Sequence, residues 1–197
     1  GIIIFAAGTM LLIALITYSP EDPNFIFPDN TEIKNLLGFQ GSFISDLFFQ
    51  SVGLISYLVS FTFIITGINI LRIKEFFLII ENTFFTIIYC LFGTLFFTHF
   101  HHKGFVLYIN GNGGFIGNYL NQTFLNSLIQ INENIFYYIL IVLILFLFLI
   151  SINFNPTNLY LLLKKLKNLF FKNKEKNYTD KSEIINEYIP QDEIKSL

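Results

Sequence analysis

His99, His101 and His102 are the residues of this sequence with the most evident ligand chemistry, since clustered imidazoles can hold a transition metal. No carboxylate or thiol stands beside them, and they close a long apolar run, so polar residues at a membrane boundary are the simpler reading. Glu81 is a second candidate, because an ionisable group inside an apolar run is costly and marks ion or proton pathways. It lies one turn from the end of its run, however, where it can extend to water or pair with Arg72 or Lys74. Asn110-Gly111-Asn112-Gly113-Gly114-Phe115-Ile116-Gly117 has the glycine density of a phosphate loop. A Walker loop needs a lysine beside its glycines, and no Lys or Arg occurs between Lys103 and Lys164. A dinucleotide loop needs a βαβ unit, which this chain lacks, so nucleotide binding is set aside. Lys164, Lys165, Lys167, Lys172, Lys174 and Lys176 could neutralise phosphates of DNA or of lipid. They share their segment with the stripe Leu159, Leu162, Leu163, Leu166, Leu169 and Phe170, which has no use in a DNA groove and suits the inner leaflet.

The elements that carry these groups are set by composition. Of 197 residues, 53% are apolar and 13% charged, which excludes an ordinary soluble domain. The 25 residues between Asp46 and Arg72 and the 30 between Glu133 and Lys164 carry no charge, lengths that suit helices crossing a bilayer. The chain reads as an all-α membrane protein with four transmembrane helices, over about 1–18, 48–71, 77–98 and 135–152. The first is slightly short, at about 27 Å. It begins at Gly1 with no Met and no basic flank before it, so the natural N-terminus is expected upstream, in a longer protein. A single cysteine, Cys90, rules out an intrachain disulfide and a thiolate metal cluster. The excess of Lys over Arg, with abundant Asn and scarce Ala, fits an AT-rich coding genome.

Orientation follows from the cations. The connection after the first span holds Glu21, Asp22, Asp29, Glu32 and Asp46 against Lys34 alone, whereas the turn after the second holds Arg72 and Lys74. With the lysine-rich tail, the positive-inside bias makes that turn and both termini cytoplasmic and places both long connections outside. Residues 1–155 form the four-span domain. Asn155-Pro156, a cap followed by proline, opens a basic amphipathic juxtamembrane helix over 156–172, and 173–197 reads as the start of a linker.

In the first outside connection, Pro20 and Pro23 flank Glu21-Asp22 and stop the first helix, while Gly38 and Gly41 suggest a bend entering the second. After Gly117, Leu120, Phe124, Leu128 and Ile131 fall on one helical face, as in an amphipathic helix on the outer surface or packed over the bundle. Gly53, Ser56, Ser60 and Gly67 mark the second span as the closest-packing helix.

Four spans with both ends inside, Tyr18-Ser19-Pro20-Glu21-Asp22-Pro23, Asn35 with Gly38, Gly41 and Asp46, and Gly113-Gly114 with Gly117 together resemble the N-terminal membrane domain of the FtsK/SpoIIIE family of bacterial DNA translocases. The first element is the most specific, the NxxGxxGxxxxD spacing supports it, and the likeness runs over residues 1 to about 170. High Phe and Asn content and the lack of Trp depart from the family pattern. The resemblance implies a multi-pass inner-membrane domain at the division septum that contacts division proteins and self-associates, as a hexamer in that family. It also implies a linker to a motor that uses ATP and Mg and handles DNA. None of the motor's motifs are in this chain, so the resemblance assigns it no catalytic, cofactor-binding or metal-binding residue. The alternative class is a small transporter or channel with Glu81 and the histidines along its path. It calls for polar groups in several spans, and the fourth carries no charge between Ile135 and Ile150.

Overall fold

The computed structural model describes residues 1–23, 32–101, 109–157 and Lys164. Every regular element among them is helical: α1 (Ile2–Ile16), α2 (Gly38–Val52), α3 (Ser56–Ile73), α4 (Leu78–Phe100), α5 (Gly114–Asn121), α6 (Phe124–Ile131) and α7 (Glu133–Ser151). Gly1–Phe154 forms one compact unit and Asn155–Leu197 a second. Three stretches, Gly38–Ile73, Leu78–Phe100 and Glu133–Ser151, are long and apolar enough to cross a membrane, and α1 is a shorter apolar helix.

Neighbouring long helices run antiparallel and close. A Cβ on Gly8 of α1 would lie 2.7 Å from Ile64 N, and one on Gly67 of α3 would lie 2.5 Å from Phe5 N, so the two backbones touch only because both positions lack side chains. Gly93 of α4 similarly receives the Ile55 side chain. Tyr89, fully buried on α4, shares a 2.9 Å hydrogen bond with Thr62 of α3 and meets the Phe148 ring of α7 at 5.9 Å. Farther along α7, Tyr137 packs on Phe96 and Phe100 at 5.3 and 5.2 Å. Asn82 Nδ2 donates to Thr66 Oγ1 at 2.8 Å and Asn69 Nδ2 to Ile152 O at 2.9 Å, which fixes the register of α3 against α4 and α7. Hydrogen bonds of this kind between membrane helices contribute about 0.6 kcal/mol each, so register, more than stability, is their main product.

Four local expectations are corrected. α1 ends at Ile16, ahead of Pro20, and its end is met by side chains instead of being cut by proline. The stretch expected as one helix from Phe48 is divided at Gly53–Ile55, a 3₁₀ turn; Gly53 has φ 67° and ψ −145°, a conformation that side chains resist. The bend therefore sits at Gly53, and Gly38, with φ 64°, only starts α2. The amphipathic helix after Gly117 is two helices, because Thr123 caps α6 by accepting from Leu125 N. Its buried side is Ile129, whereas Phe124, Leu128 and Ile131 face outward.

Ser56 and Ser60 of α3 are fully buried, and their hydroxyls donate to Gly53 O and Tyr57 O. At the second unit, Asn155 Oδ1 accepts from Thr157 N at 2.9 Å, the cap that its position before Pro156 suggested. The rest of the 156–172 helix and the 173–197 segment, apart from Lys164, lie outside the described residues.

Candidate functional site

The carbonyls of the last turn of α1 would be orphaned if nothing met them. Asn35 does so, donating from Nδ2 to Ala14 O at 2.9 Å and to Thr17 O at 3.3 Å. Its Oδ1 accepts from Leu37 N at 3.1 Å and its carbonyl from Gly38 N at 2.9 Å, so one side chain ends α1 and sets the start of α2. The backbone N–H groups of Lys34 and Asn35 donate to the two carboxylate oxygens of Asp22, each at 2.8 Å. Asp22 is only 1% exposed, and these paired donors offset the cost of removing its charge from water. It is positioned by a turn in which Asp22 N donates to Ser19 O at 3.2 Å. Pro20 is exposed, while Pro23 supplies a carbonyl that accepts from Ser42 Oγ at 2.9 Å.

Gly41 is where this knot meets α2: a Cβ there would overlap Asn35 Oδ1 and lie 2.5 Å from Leu37 Cβ. One turn on, Asp46 accepts from the Tyr18 hydroxyl at 3.2 Å, and the Tyr18 ring meets Phe49 edge-on at 4.9 Å. The structure thus brings Tyr18, Asp22, Asn35, Gly41 and Asp46 into one site. Ser19, Pro20 and Pro23 shape its turn, and Gly38 starts α2 with open space where a Cβ would stand.

Outside the buried part, Glu21 and Lys34 form an exposed ion pair. The pairing holds the Glu21 carboxyl below its ordinary range and the Lys34 ammonium above its own. Any contribution of Glu21 is present above the ordinary carboxylate value and lost as pH falls through its lowered one. Lys34 works in the opposite sense, losing its contribution as pH rises through its raised value. Solvent screening keeps such a pair weak. Asp22→Asn is therefore expected to lower stability in detergent by about 1–3 kcal/mol, since an amide nitrogen cannot accept from an N–H. Lys34→Ala should move the same unfolding midpoint much less. Equal effects would refute the assignment of the turn's stability to Asp22.

The glycines of the second connection form a companion site. Cβ atoms on Gly113 and Gly117 would both overlap Thr98 Oγ1, and one on Gly114 would lie 2.6 Å from Ser51 O. The glycines let α5 rest directly on the backbone of α4 and of the α2–α3 break. Asn112 completes the seam: its carbonyl accepts from Leu54 N at 2.9 Å and its Nδ2 donates to His101 O at 2.6 Å. Gln50 then joins the two sites, donating to Asp46 Oδ1 at 3.4 Å and accepting from Asn110 Nδ2 at 3.1 Å. Asn110 O in turn accepts from Asn118 of α5 at 2.8 Å.

The histidines have different surroundings. His99 Nδ1 is 3.5 Å from Asn121 Oδ1 and Nε2 is 3.9 Å from Glu133 Oε1, while the His101 ring lies against Phe96, Phe97 and Tyr137. His102 lies outside the described residues. Glu81 is exposed in the first turn of α4, where a helix N-terminus favours a carboxylate, and among the described residues it pairs with neither Arg72 nor Lys74.

The arrangement holds backbone segments at fixed separations through mostly neutral hydrogen bonds. It joins α1, α2, α4 and α5 at one end of the bundle. Gly53, Gln50, Asn110, Thr94 and Thr98 belong to it and were not singled out as site residues from the sequence. Gly53 and Asn110 were visible as a small residue in a span and as part of a glycine-rich run, but no local spacing pairs residues so far apart in the chain.

A family model described as the 4TM region of DNA translocase FtsK/SpoIIIE matches residues 1–160. The DNA translocase FtsK of Caulobacter vibrioides is 34% identical over 69 residues, covering 35% of this chain and 8% of that protein. The DNA translocase FtsK of Rickettsia prowazekii is 30% identical over 69 residues, covering 35% of this chain and 9% of that protein. The aligned part is thus a small fraction of either relative's length. No solved structure matches the chain.

Proposed function

Because the chain belongs to the FtsK/SpoIIIE family as its 4TM membrane region, we propose that it anchors a DNA-translocating motor in the bacterial inner membrane at the division septum. The observation that carries this reading is the family match across residues 1–160, which takes in the whole of the compact unit that ends at Phe154. In the proposed topology α1, α3, α4 and α7 cross the bilayer with both termini cytoplasmic. Their antiparallel packing supports it, as do Arg72 and Lys74 at the α3–α4 turn. The cap built on Asn35, Asp22 and Gly53 then faces the outside.

The physical contribution of such a domain is mechanical and local. A motor working on DNA pulls on its tether, and a bundle whose helix ends are tied together by a buried network resists being drawn apart. Self-association, as a hexamer by family likeness, would raise the local concentration of attached motors. ATP, Mg and DNA would be handled by a motor outside this chain, and division proteins would be contacted by the membrane domain.

A fluorescent fusion of residues 1–197 is expected to form a band at midcell in dividing cells. A uniform envelope signal throughout the cell cycle would overturn the septal reading.

A further inference from the structure

α2 is amphipathic the wrong way round for a helix in water. Ser42, Ser45 and Asp46 point inward at 1%, 0% and 4% exposure, whereas Leu36, just before the helix, Phe39, Ile44 and Leu47 point outward at 75%, 52%, 40% and 53%. Beside this outward face runs an open groove of about 370 Å³ between α1 and α2, bordered by Ala7, Met10, Leu11 and Ala14 on one side and by Gly41 and Ile44 on the other. Among the described residues that line it, Gln40 is the one polar side chain.

Length points the same way. The helical stretch from Gly38 to Ile73 has 36 residues. At about 1.5 Å per residue it would reach about 54 Å, far beyond the hydrocarbon thickness of about 30 Å. The part after Gly53 fills that thickness by itself, so α2 cannot continue the same crossing. Asn35 at the foot of α2 is hydrogen-bonded to Ala14 O, and the neighbouring Leu15 O accepts from Tyr57 near the start of α3. The foot of α2 therefore sits level with the last turn of α1 and the start of α3, and the groove beside it reaches Ala7, two turns farther into α1. At that depth an outward face of Leu, Phe and Ile meets acyl chains.

We propose that α2 lies within the leaflet on the side of the α1–α2 connection, with Phe39, Ile44 and Leu47 in contact with phospholipid acyl chains and one chain seated in the α1–α2 groove. Three observations select lipid as the occupant. The outward face is uncharged, the one acidic residue of α2, Asp46, being buried on the opposite side, and from Leu47 no charge follows until Arg72. The groove is continuous with the exposed apolar side of α1 at Met10. Its cross-section is open along one side, as a flexible chain requires. The polar network around Asp46 is then shielded by lipid on one side and by the bundle on the other, where hydrogen bonds are stronger than in water. The proposal goes beyond the anchoring role, and the proposed topology enters only in naming the leaflet as the outer one.

The test uses spin labels at Phe39→Cys, Ile44→Cys and Leu47→Cys in a Cys90→Ser background, with Glu32→Cys as an exposed control, in phosphatidylethanolamine–phosphatidylglycerol vesicles. Expected at the three α2 sites is several-fold greater relaxation by oxygen than by a water-soluble nickel chelate, with the reverse at Glu32. Chelate access equal to that at Glu32 would overturn the proposal. So would low access to both reagents with spin–spin broadening, which would place a second copy on this face. The unaltered protein provides a second measurement free of folding artefacts: a phospholipid carrying a diazirine in its acyl chain should cross-link to peptides covering 36–48. Cross-links confined to α3, α4 and α7 would also overturn it. Reversed sidedness in a reporter-fusion experiment would refute the proposed topology while leaving these lipid contacts in place.

Discussion

Gly53→Ala is expected to lower the stability of the membrane domain in detergent by about 3 kcal/mol or more, enough to deplete it in cells. Two costs combine at this one position. The backbone conformation, φ 67° with ψ −145°, is nearly exclusive to glycine and costs about 1–3 kcal/mol with a side chain. In addition, the new Cβ would overlap Asn112 O and lie 2.8 Å from Gly113 C, so the second connection would have to lift away from the α2–α3 break. Moving it breaks the hydrogen bond from Leu54 N to Asn112 O and disturbs the seat of Gly114. Gly38→Ala is the matched control, since Gly38 also has positive φ, 64°, but has nothing within 4 Å of a built Cβ. Only the local strain of about 1–2 kcal/mol should be felt there. Thermal unfolding of the two variants side by side checks the assignment, and equal midpoints would show that the close approach of Asn112 contributes nothing.

Asn35→Leu should cost a comparable amount, about 2–4 kcal/mol, because it strips partners from Ala14 O, Thr17 O and Leu37 N at once while keeping the branching of the side chain. Each of these groups sits at a helix end, where no intrahelical bond can replace the loss. The interaction with Gly41 gives a sharper readout. Gly41→Ala alone drives a methyl into Asn35 Oδ1, whereas in an Asn35→Ala background that atom is gone and only the Leu37 Cβ contact at 2.5 Å remains. The double mutant should therefore be less damaged than the sum of the singles, with a coupling of about 0.5–3 kcal/mol. Strict additivity would mean that Asn35 and Gly41 serve separate purposes. The NxxGxxGxxxxD spacing acquires a physical meaning from these contacts. The asparagine ends one helix, the second glycine makes room for it, and the aspartate accepts from Tyr18.

These contacts also explain which parts of the site were legible. Tyr18, Asp22, Asn35, Gly41 and Asp46 were named from the sequence, and they do meet, but through a resemblance instead of through local chemistry. Read locally, Asp22 between prolines belongs to a turn that stops the first helix. Its burial depends on backbone donors of Lys34 and Asn35, a dozen residues away. The glycines at 113, 114 and 117 were first weighed for phosphate binding. Their use is steric, and it becomes visible only once Thr94, Thr98 and Ser51 stand against them. For the helix after Gly117, periodicity finds an apolar stripe without saying whether protein or lipid covers it, and both placements stayed open. In water the two coincide. In a bilayer an apolar residue is content on either side, and so Phe124, Leu128 and Ile131 face outward while Ile129 is buried.

What the sequence determined by itself was the solvent: apolar runs too long for a soluble core, cations segregated at alternate connections, and a helix cap, Asn155, that acts within a turn. Such features are local or additive, so composition and spacing suffice to read them. What only the tertiary structure decided was where the chain breaks, at Gly53, and which polar groups are buried together. It also decided that α2 turns Ser42 and Ser45 inward and Phe39, Ile44 and Leu47 outward. Those outcomes depend on close approaches between residues far apart in the chain, such as Gly53 with Asn112 and Asn35 with Ala14. A bilayer removes the rule that apolar means inside, so only the packed helices can settle them.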